Sequence, residues 1–182
     1  VYLLARFHRD QVVVDEALLV VDLLRRAKVE VTVASASGSR EILSSHKIRI
    51  TADALAEEVD YSDVDLVVLP GGIPGTPNLA ANKTVTDTCT AFAKSGKKVA
   101  AICAAPTILA MLGITDGRRA TCYPGCEGQM GSADMVCAPA VTDGKLITGT
   151  SAGCAVPFGL ALIAALKGQA AAQAVAEQIV IR

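Results

Sequence analysis

Two apolar runs, each ending in small turn-forming residues, constrain this chain more than any other feature. Val64 to Leu69 is apolar at every position except Asp65, and Val99-Ala-Ala-Ile102 is apolar throughout. A strand without polar alternation must be covered on both faces, which is the habit of a parallel sheet packed between helices. A helical stretch follows each run: Leu79 to Lys94, with Asn78 as its expected cap, and Ala104 to Leu112. The chain begins in the same order. Val1 to Ala5 reads as a strand, Arg6 to Gln11 as a polar loop and Val12 to Ala27 as a helix, with Val13, Ala17, Val20, Val21 and Leu24 at helical spacing. Glu30 to Ala34 is the next strand. Lys47 to Thr51 and Leu146 to Thr148 read as strands, with weaker strands at Arg119 to Cys122 and Met135 to Ala138. Asp53 to Val59 reads as a short helix, Val141 to Lys145 as a turn, and Val156 to Leu166 and Gln169 to Gln178 as the last two helices. The repeated strand-helix-strand order predicts an α/β three-layer sandwich with a mostly parallel central sheet. With 182 residues, 52% of them hydrophobic, one sizeable core and a single domain over 1–182 are expected.

Charge and composition exclude several classes of function. Lysine plus arginine total 17 against 18 acids, so no field gathers nucleic acid, and with six Phe and Tyr and no Trp there is no stacking platform for bases. No apolar run approaches a membrane span; the longest, Phe158 to Leu166, is of core-helix length. Val1 already reads as strand, so a few preceding residues are expected to be missing or processed. Six cysteines (Cys89, Cys103, Cys122, Cys126, Cys137 and Cys154) in a chain able to build an apolar core point to a reducing, cytoplasmic compartment rather than to disulfide staples. Cys122 and Cys126 are spaced too widely for the usual zinc pair, and neither His8 nor His46 is close in sequence, so no metal is expected. Gly71, Gly72 and Gly75 do not match the dinucleotide fingerprint. Gly149-Thr-Ser-Ala-Gly153 has the form of a serine nucleophile turn, but no histidine follows it.

Cys103 is the residue with chemistry to offer. It falls at a strand-to-helix turn, where a side chain is held in a strained, exposed pose and the helix N-terminus favours negative charge. A low thiol pKa is therefore expected, with a small buried core thiol as the alternative. In an open parallel sheet, ligands bind beyond the carboxyl ends of the strands. Gly71 and Gly72 follow one strand and Cys103 the next, and the Pro70 to Pro77 loop offers backbone N–H groups to an anion. Asp15 and Glu16 lie near the same end. From pattern alone, Glu16 reads either as a carboxyl partner for the thiol or as an exposed acid at a helix N-terminus.

The pieces Asp22-Leu-Leu-Arg-Arg-Ala27, Glu30-Val-Thr-Val-Ala34, Val67-Val-Leu-Pro-Gly-Gly72, Ala100-Ala-Ile-Cys-Ala-Ala-Pro106 and the Phe158 to Gly168 helix resemble the ThiJ/PfpI superfamily, in the branch of the Parkinson-disease protein and its bacterial relatives. The resemblance covers nearly the whole chain. It implies a flavodoxin-like fold, also described as class I glutamine-amidotransferase-like. It implies Cys103 as the reactive thiol, Glu16 as its carboxyl partner and the N–H groups of Gly72 and Ala104 as an oxyanion site; desolvation and the nearby thiolate are expected to keep Glu16 protonated at neutral pH. Gly71, Tyr123, His8 and Arg26 are the candidate pocket residues. Tyr123-Pro124 stands where many relatives carry His-Pro, which argues against peptidase activity, and Ser44-Ser45-His46 replaces a Cys-Ser-Arg piece. The implied activity is glyoxalase- or deglycase-like, acting without a cofactor on small α-oxoaldehydes or their early adducts. The rival is a redox-sensing or chaperone-like stress protein using the same cysteine. A homodimer is expected, through the first helix and the segment from Ser44 to Ile50, because Val20, Val21 and Leu24 look like more apolar surface than one sheet face needs.

Overall fold

The computed structural model of the chain describes residues 1–5, 15–44, 47–73 and 75–181. The strands are β1 (Tyr2–Ala5), β2 (Thr32–Ser35), β3 (Glu41–Leu43), β4 (Arg49–Thr51), β5 (Ala54–Leu55), β6 (Leu66–Leu69), β7 (Lys98–Ile102), β8 (Arg119–Ala120), β9 (Asp134–Met135), β10 (Ala140–Asp143) and β11 (Leu146–Gly149). The helices are α1 (Val20–Arg26), α2 (Gly75–Ala80), α3 (Lys83–Lys94), α4 (Pro106–Met111), α5 (Ala155–Lys167) and α6 (Gln169–Gln178). Seven strands form the central sheet in the order β10-β11-β7-β6-β1-β2-β5. All its pairings are parallel except β10 with β11. The fold is the expected α/β sandwich, flavodoxin-like in its mostly parallel sheet.

The doubly apolar runs find cover on both sides. Leu66, Val68, Ala100, Ile102 and Ile147 face a core built with α1, α5 and α6, including Leu23, Leu24, Phe158, Leu162 and Val175. Their neighbours Val67, Leu69, Val99, Ala101 and Leu146 face the opposite core, with Leu79, Val85, Cys89, Phe92, Ile108 and Leu109. This strict alternation of two apolar sets is the period-two geometry of a strand with a helical layer on each face.

Several local expectations change in the tertiary setting. The helix drawn from Leu79 to Lys94 is two helices, and its cap is Asn82 rather than Asn78. Asn82 Oδ1 accepts from the Val85 N–H at 3.1 Å, and Asn82 Nδ2 donates to the Ala36 carbonyl at 3.0 Å. The side chain thus both starts α3 and ties it to the end of β2. The stretch expected as a turn, Val141 to Lys145, mostly belongs to β10, which closes the sheet edge as an antiparallel hairpin. Asp53 to Val59 is not one helix but β5 followed by a 3₁₀ turn, Ala56–Glu58. The first helix opens on a π-helical turn, Asp15–Leu19; the expected start at Val12 to Val14 lies outside the described residues. Among the described residues, no helix is long and apolar enough to cross a membrane.

Candidate active site

The site forms at the carboxyl edge of the sheet, beside β1, where β2 and β6 lie on opposite sides. That is a topological switch point, the place where open α/β sheets leave a crevice. Glu16 returns to this edge on the π-helical turn, Gly71 and Gly72 follow β6, and Cys103 follows β7.

Cys103 is held in a conformation unusual for a residue with a side chain. Its φ is +64°, in the left-handed region, at a cost of about 1–3 kcal/mol that the surroundings must overcome. Two backbone hydrogen bonds clamp it there. Its N–H donates to the Gly149 carbonyl at 2.9 Å, and its carbonyl accepts the Tyr123 N–H at 2.8 Å. The strand-to-helix turn read from the sequence is therefore real, and neighbouring strand and loop backbone hold it.

Glu16 has 0% of its surface exposed, so the reading of an exposed helix-terminal acid is wrong. Its Oε2 accepts the Gly71 N–H at 2.9 Å, and its carboxyl group hydrogen-bonds the Cys103 thiol. Gly71 has no room for a side chain. A Cβ there would sit 2.7 Å from Cys103 Cβ, 2.7 Å from the Ile102 carbonyl oxygen and 2.9 Å from the Ala104 nitrogen. Gly72 adopts φ +111°, and its carbonyl accepts from both the N–H (2.8 Å) and the Oγ1 (2.9 Å) of Thr76. A glycine pair is thus required, the first for close approach and the second for its backbone angle.

Burial, then the charge and hydrogen bond of Glu16, push the Cys103 thiol up to about 12, against the lowering effect of the Ala104 N–H on the sulfur. This overturns the expected low pKa. Cys103 is only 7% exposed and its thiol faces the Glu16 carboxyl group, and α4 beyond it is a six-residue helix, so desolvation and Glu16 outweigh the helix end. Cys89 is buried and is also pushed up to about 12 by burial.

The thiol opens into a cleft of about 260 Å³ lined by Gly72, Ile73, Cys103, Ala104 and Tyr123. Ile73 and Tyr123 form its lips, 73% and 47% exposed. Gly71 lies behind the wall, holding Glu16. Arg26 is not a pocket residue: it sits at the far end of α1 in an exposed ion pair with Asp22 at 2.7 Å. His8 and His46 lie outside the described residues. Sequence reasoning missed Ile73, Thr76 and Gly149. The Gly149 to Gly153 pattern drew attention for its serine, whereas the part that reaches the site is the Gly149 carbonyl. All six cysteines are free.

These features define a doubly wound α/β protein carrying a buried carboxyl–thiol pair on a strained turn at its switch point. The chain belongs to the DJ-1/PfpI family, whose model matches residues 6–165. It is 34% identical over 168 residues to Protein dj-1beta of Drosophila melanogaster, covering 91% of this chain and 90% of that protein. A protein of Pyrococcus abyssi named as a deglycase is 35% identical over 109 residues, 59% of this chain and 65% of its own length. The crystal structure of a DJ-1 superfamily protein from Salmonella typhimurium superposes with a TM-score of 0.91 at 32% identity, over 100% of this chain and 97% of that one. The chain spans only 35% of another relative, Protein DJ-1 homolog B of Arabidopsis thaliana.

Proposed function

We propose that Cys103 and Glu16 convert small α-oxoaldehydes, or the early adducts these form with proteins, to 2-hydroxy acids. The observation that carries this reading is the buried carboxyl group hydrogen-bonded to the thiol at the floor of a small cleft. The two groups hold one proton between them. As the sulfur adds to the aldehyde carbon, Glu16 takes that proton, so a thiol with a high resting pKa still attacks as a nucleophile. The new oxyanion is received by the Gly72 and Ala104 N–H groups and protonated to a hemithioacetal. Glu16 then carries the proton from the former aldehyde carbon to the neighbouring carbonyl carbon, while the hemithioacetal hydroxyl proton passes to that carbonyl's oxygen, leaving a thioester. Water cleaves this to the 2-hydroxy acid and regenerates the thiol. The sum is addition of one water, with release of the protein's amine or thiol where an adduct is the substrate, and with no oxidant and no cofactor. The deglycase name of the Pyrococcus relative supports the substrate class, and six free cysteines fit a reducing cytoplasm.

A homodimer belongs to the proposal, but its expected surface needs correcting. Val20, Val21 and Leu24 are already buried within the chain. Among the described residues, the exposed apolar side chains on the expected elements are Leu18, on the π-helical turn, and Ile48, beside β4; these are the surface proposed to meet a second copy.

Turnover of methylglyoxal tests the chemistry. Cys103→Ala should abolish it, and Glu16→Gln should lower the rate by about 10²–10⁴, the usual contribution of a positioned acid–base group. Wild-type turnover in Glu16→Gln with an intact fold would refute the assignment.

A further inference from the structure

Cys103 is not the only thiol at this edge of the sheet. Cys126 is buried at the start of the 3₁₀ turn Glu127–Gln129, in a small cluster with Ala104, Cys122 and Met130. Two backbone hydrogen bonds tie this turn to the site. The Tyr123 N–H donates to the Cys103 carbonyl at 2.8 Å, and the Cys126 N–H donates to the Tyr123 carbonyl at 2.9 Å. Cys126 also lines a second cleft, of about 390 Å³, which shares Ile73 and Ala104 with the Cys103 cleft. The two thiols are therefore served by adjoining openings. They are close enough that ionisation of Cys126 would further disfavour that of Cys103. Cys122 has a different partner: its sulfur contacts the Tyr123 carbonyl at 3.5 Å and lines a third cleft that shares no lining residue with the other two.

We propose that Cys126 is a resolving thiol for Cys103, so that a hydroperoxide converts the pair to a reversible Cys103–Cys126 disulfide. In the first step the Cys103 sulfur attacks a peroxide oxygen. An S–O bond forms, the O–O bond breaks, and the alcohol (or water, from hydrogen peroxide) leaves with the thiol proton, carried by Glu16. Cys103 is then a sulfenic acid. In the second step the Cys126 sulfur attacks the Cys103 sulfur. The S–S bond forms, the S–O bond breaks, and hydroxide leaves as water with the Cys126 proton. Two thiols lose two electrons and the hydroperoxide is reduced by two. A small-molecule dithiol reverses the change by exchange. The disulfide spares Cys103 from over-oxidation to sulfinate, which is irreversible without a dedicated rescue enzyme.

The proposal shares Cys103 and the proton carrier Glu16 with the aldehyde chemistry but not its substrate or its turnover, and its test reads bonds. Wild-type protein is treated with one equivalent of hydrogen peroxide, blocked with an alkylating agent and digested with trypsin without reduction. Cleavage after Arg118 and Arg119 places Cys103 and Cys126 on separate fragments. The expected product is a cross-linked pair of fragments, lighter by two hydrogens than their sum. Tandem sequencing should assign the bond to Cys103 and Cys126, and dithiothreitol should abolish it. Cys126→Ser should instead accumulate Cys103 sulfinate several-fold faster than wild type, whereas Cys122→Ser should behave as wild type. Conversion of wild-type Cys103 directly to sulfinate, or a cross-link to Cys122, would overturn the proposal even if methylglyoxal turnover is normal. The wild-type mapping stands without any variant, so a misfolded substitution does not decide the outcome.

Discussion

Gly71→Ala is the smallest change that should dismantle the site, and its cost follows from three distances. A Cβ at this position would stand 2.7 Å from Cys103 Cβ, 2.7 Å from the Ile102 carbonyl oxygen and 2.9 Å from the Ala104 nitrogen. Two of the three are backbone atoms at the end of β7, and the third belongs to a residue already held at φ +64°. None is the free end of a flexible chain, so the ends of β6 and β7 must separate. Forcing one methyl into packed surroundings costs about 1–3 kcal/mol. The same movement draws the Gly71 N–H away from Glu16 Oε2, now at 2.9 Å. A buried carboxyl group that loses a hydrogen-bond donor costs roughly 1–3 kcal/mol more. A total of roughly 2–6 kcal/mol lowers the melting temperature of a chain this size by roughly 5–20 °C. Differential scanning calorimetry measures that shift, and iodoacetamide labelling of Cys103 reports whether the pair has come apart. Gly128→Ala is the control, since a Cβ there meets nothing within 4 Å. Its stability should stay within about 0.5 kcal/mol of wild type. A Gly71→Ala protein that melts within a degree or two of wild type and labels at the same rate would refute the reasoning.

Alkaline pH should destabilise the fold through its buried thiols. Cys89 and Cys103 are raised from 9.0 to about 12, so above pH 9 the unfolded chain releases protons that the folded chain keeps. Stability is fully present below that window and falls by about 1.4 kcal/mol per pH unit per thiol as pH rises through it. Urea unfolding of Cys89→Ala should show a shallower alkaline decline than wild type; identical slopes would show that burial does not hold the Cys89 proton. Tyr123→Phe should keep the fold and leave the maximal methylglyoxal rate within about tenfold, one interaction of roughly 1.4 kcal/mol, because it is the Tyr123 backbone N–H that holds Cys103. A loss beyond a thousandfold would mean that the phenol moves a proton. Sedimentation at micromolar concentration should show a species of twice the 18.7 kDa chain mass, and Ile48→Lys should weaken it. A monomer alone would remove the dimer from the proposal.

The sequence determined the architecture because its signals are local and repeated. Runs such as Val64 to Leu69 cannot alternate between core and water, so helices had to cover both faces, and Cys103 between a strand and a helix had to occupy a turn. Cap and boundary signals were weaker, because Asn78 and Asn82 are both competent caps. The choice fell to the Ala36 carbonyl, 46 positions earlier, which accepts from Asn82. The surroundings of the thiol were decided in three dimensions. Glu16 carries no local mark distinguishing a buried partner from an exposed acid. Its burial arises because the π-helical turn brings it back to the end of β6, 55 positions from the Gly71 N–H it meets. The thiol is pushed up rather than down for the same reason. A helix N-terminus is visible in sequence, whereas desolvation and a carboxyl group arriving on the π-helical turn exist only after the sheet has assembled its carboxyl edge.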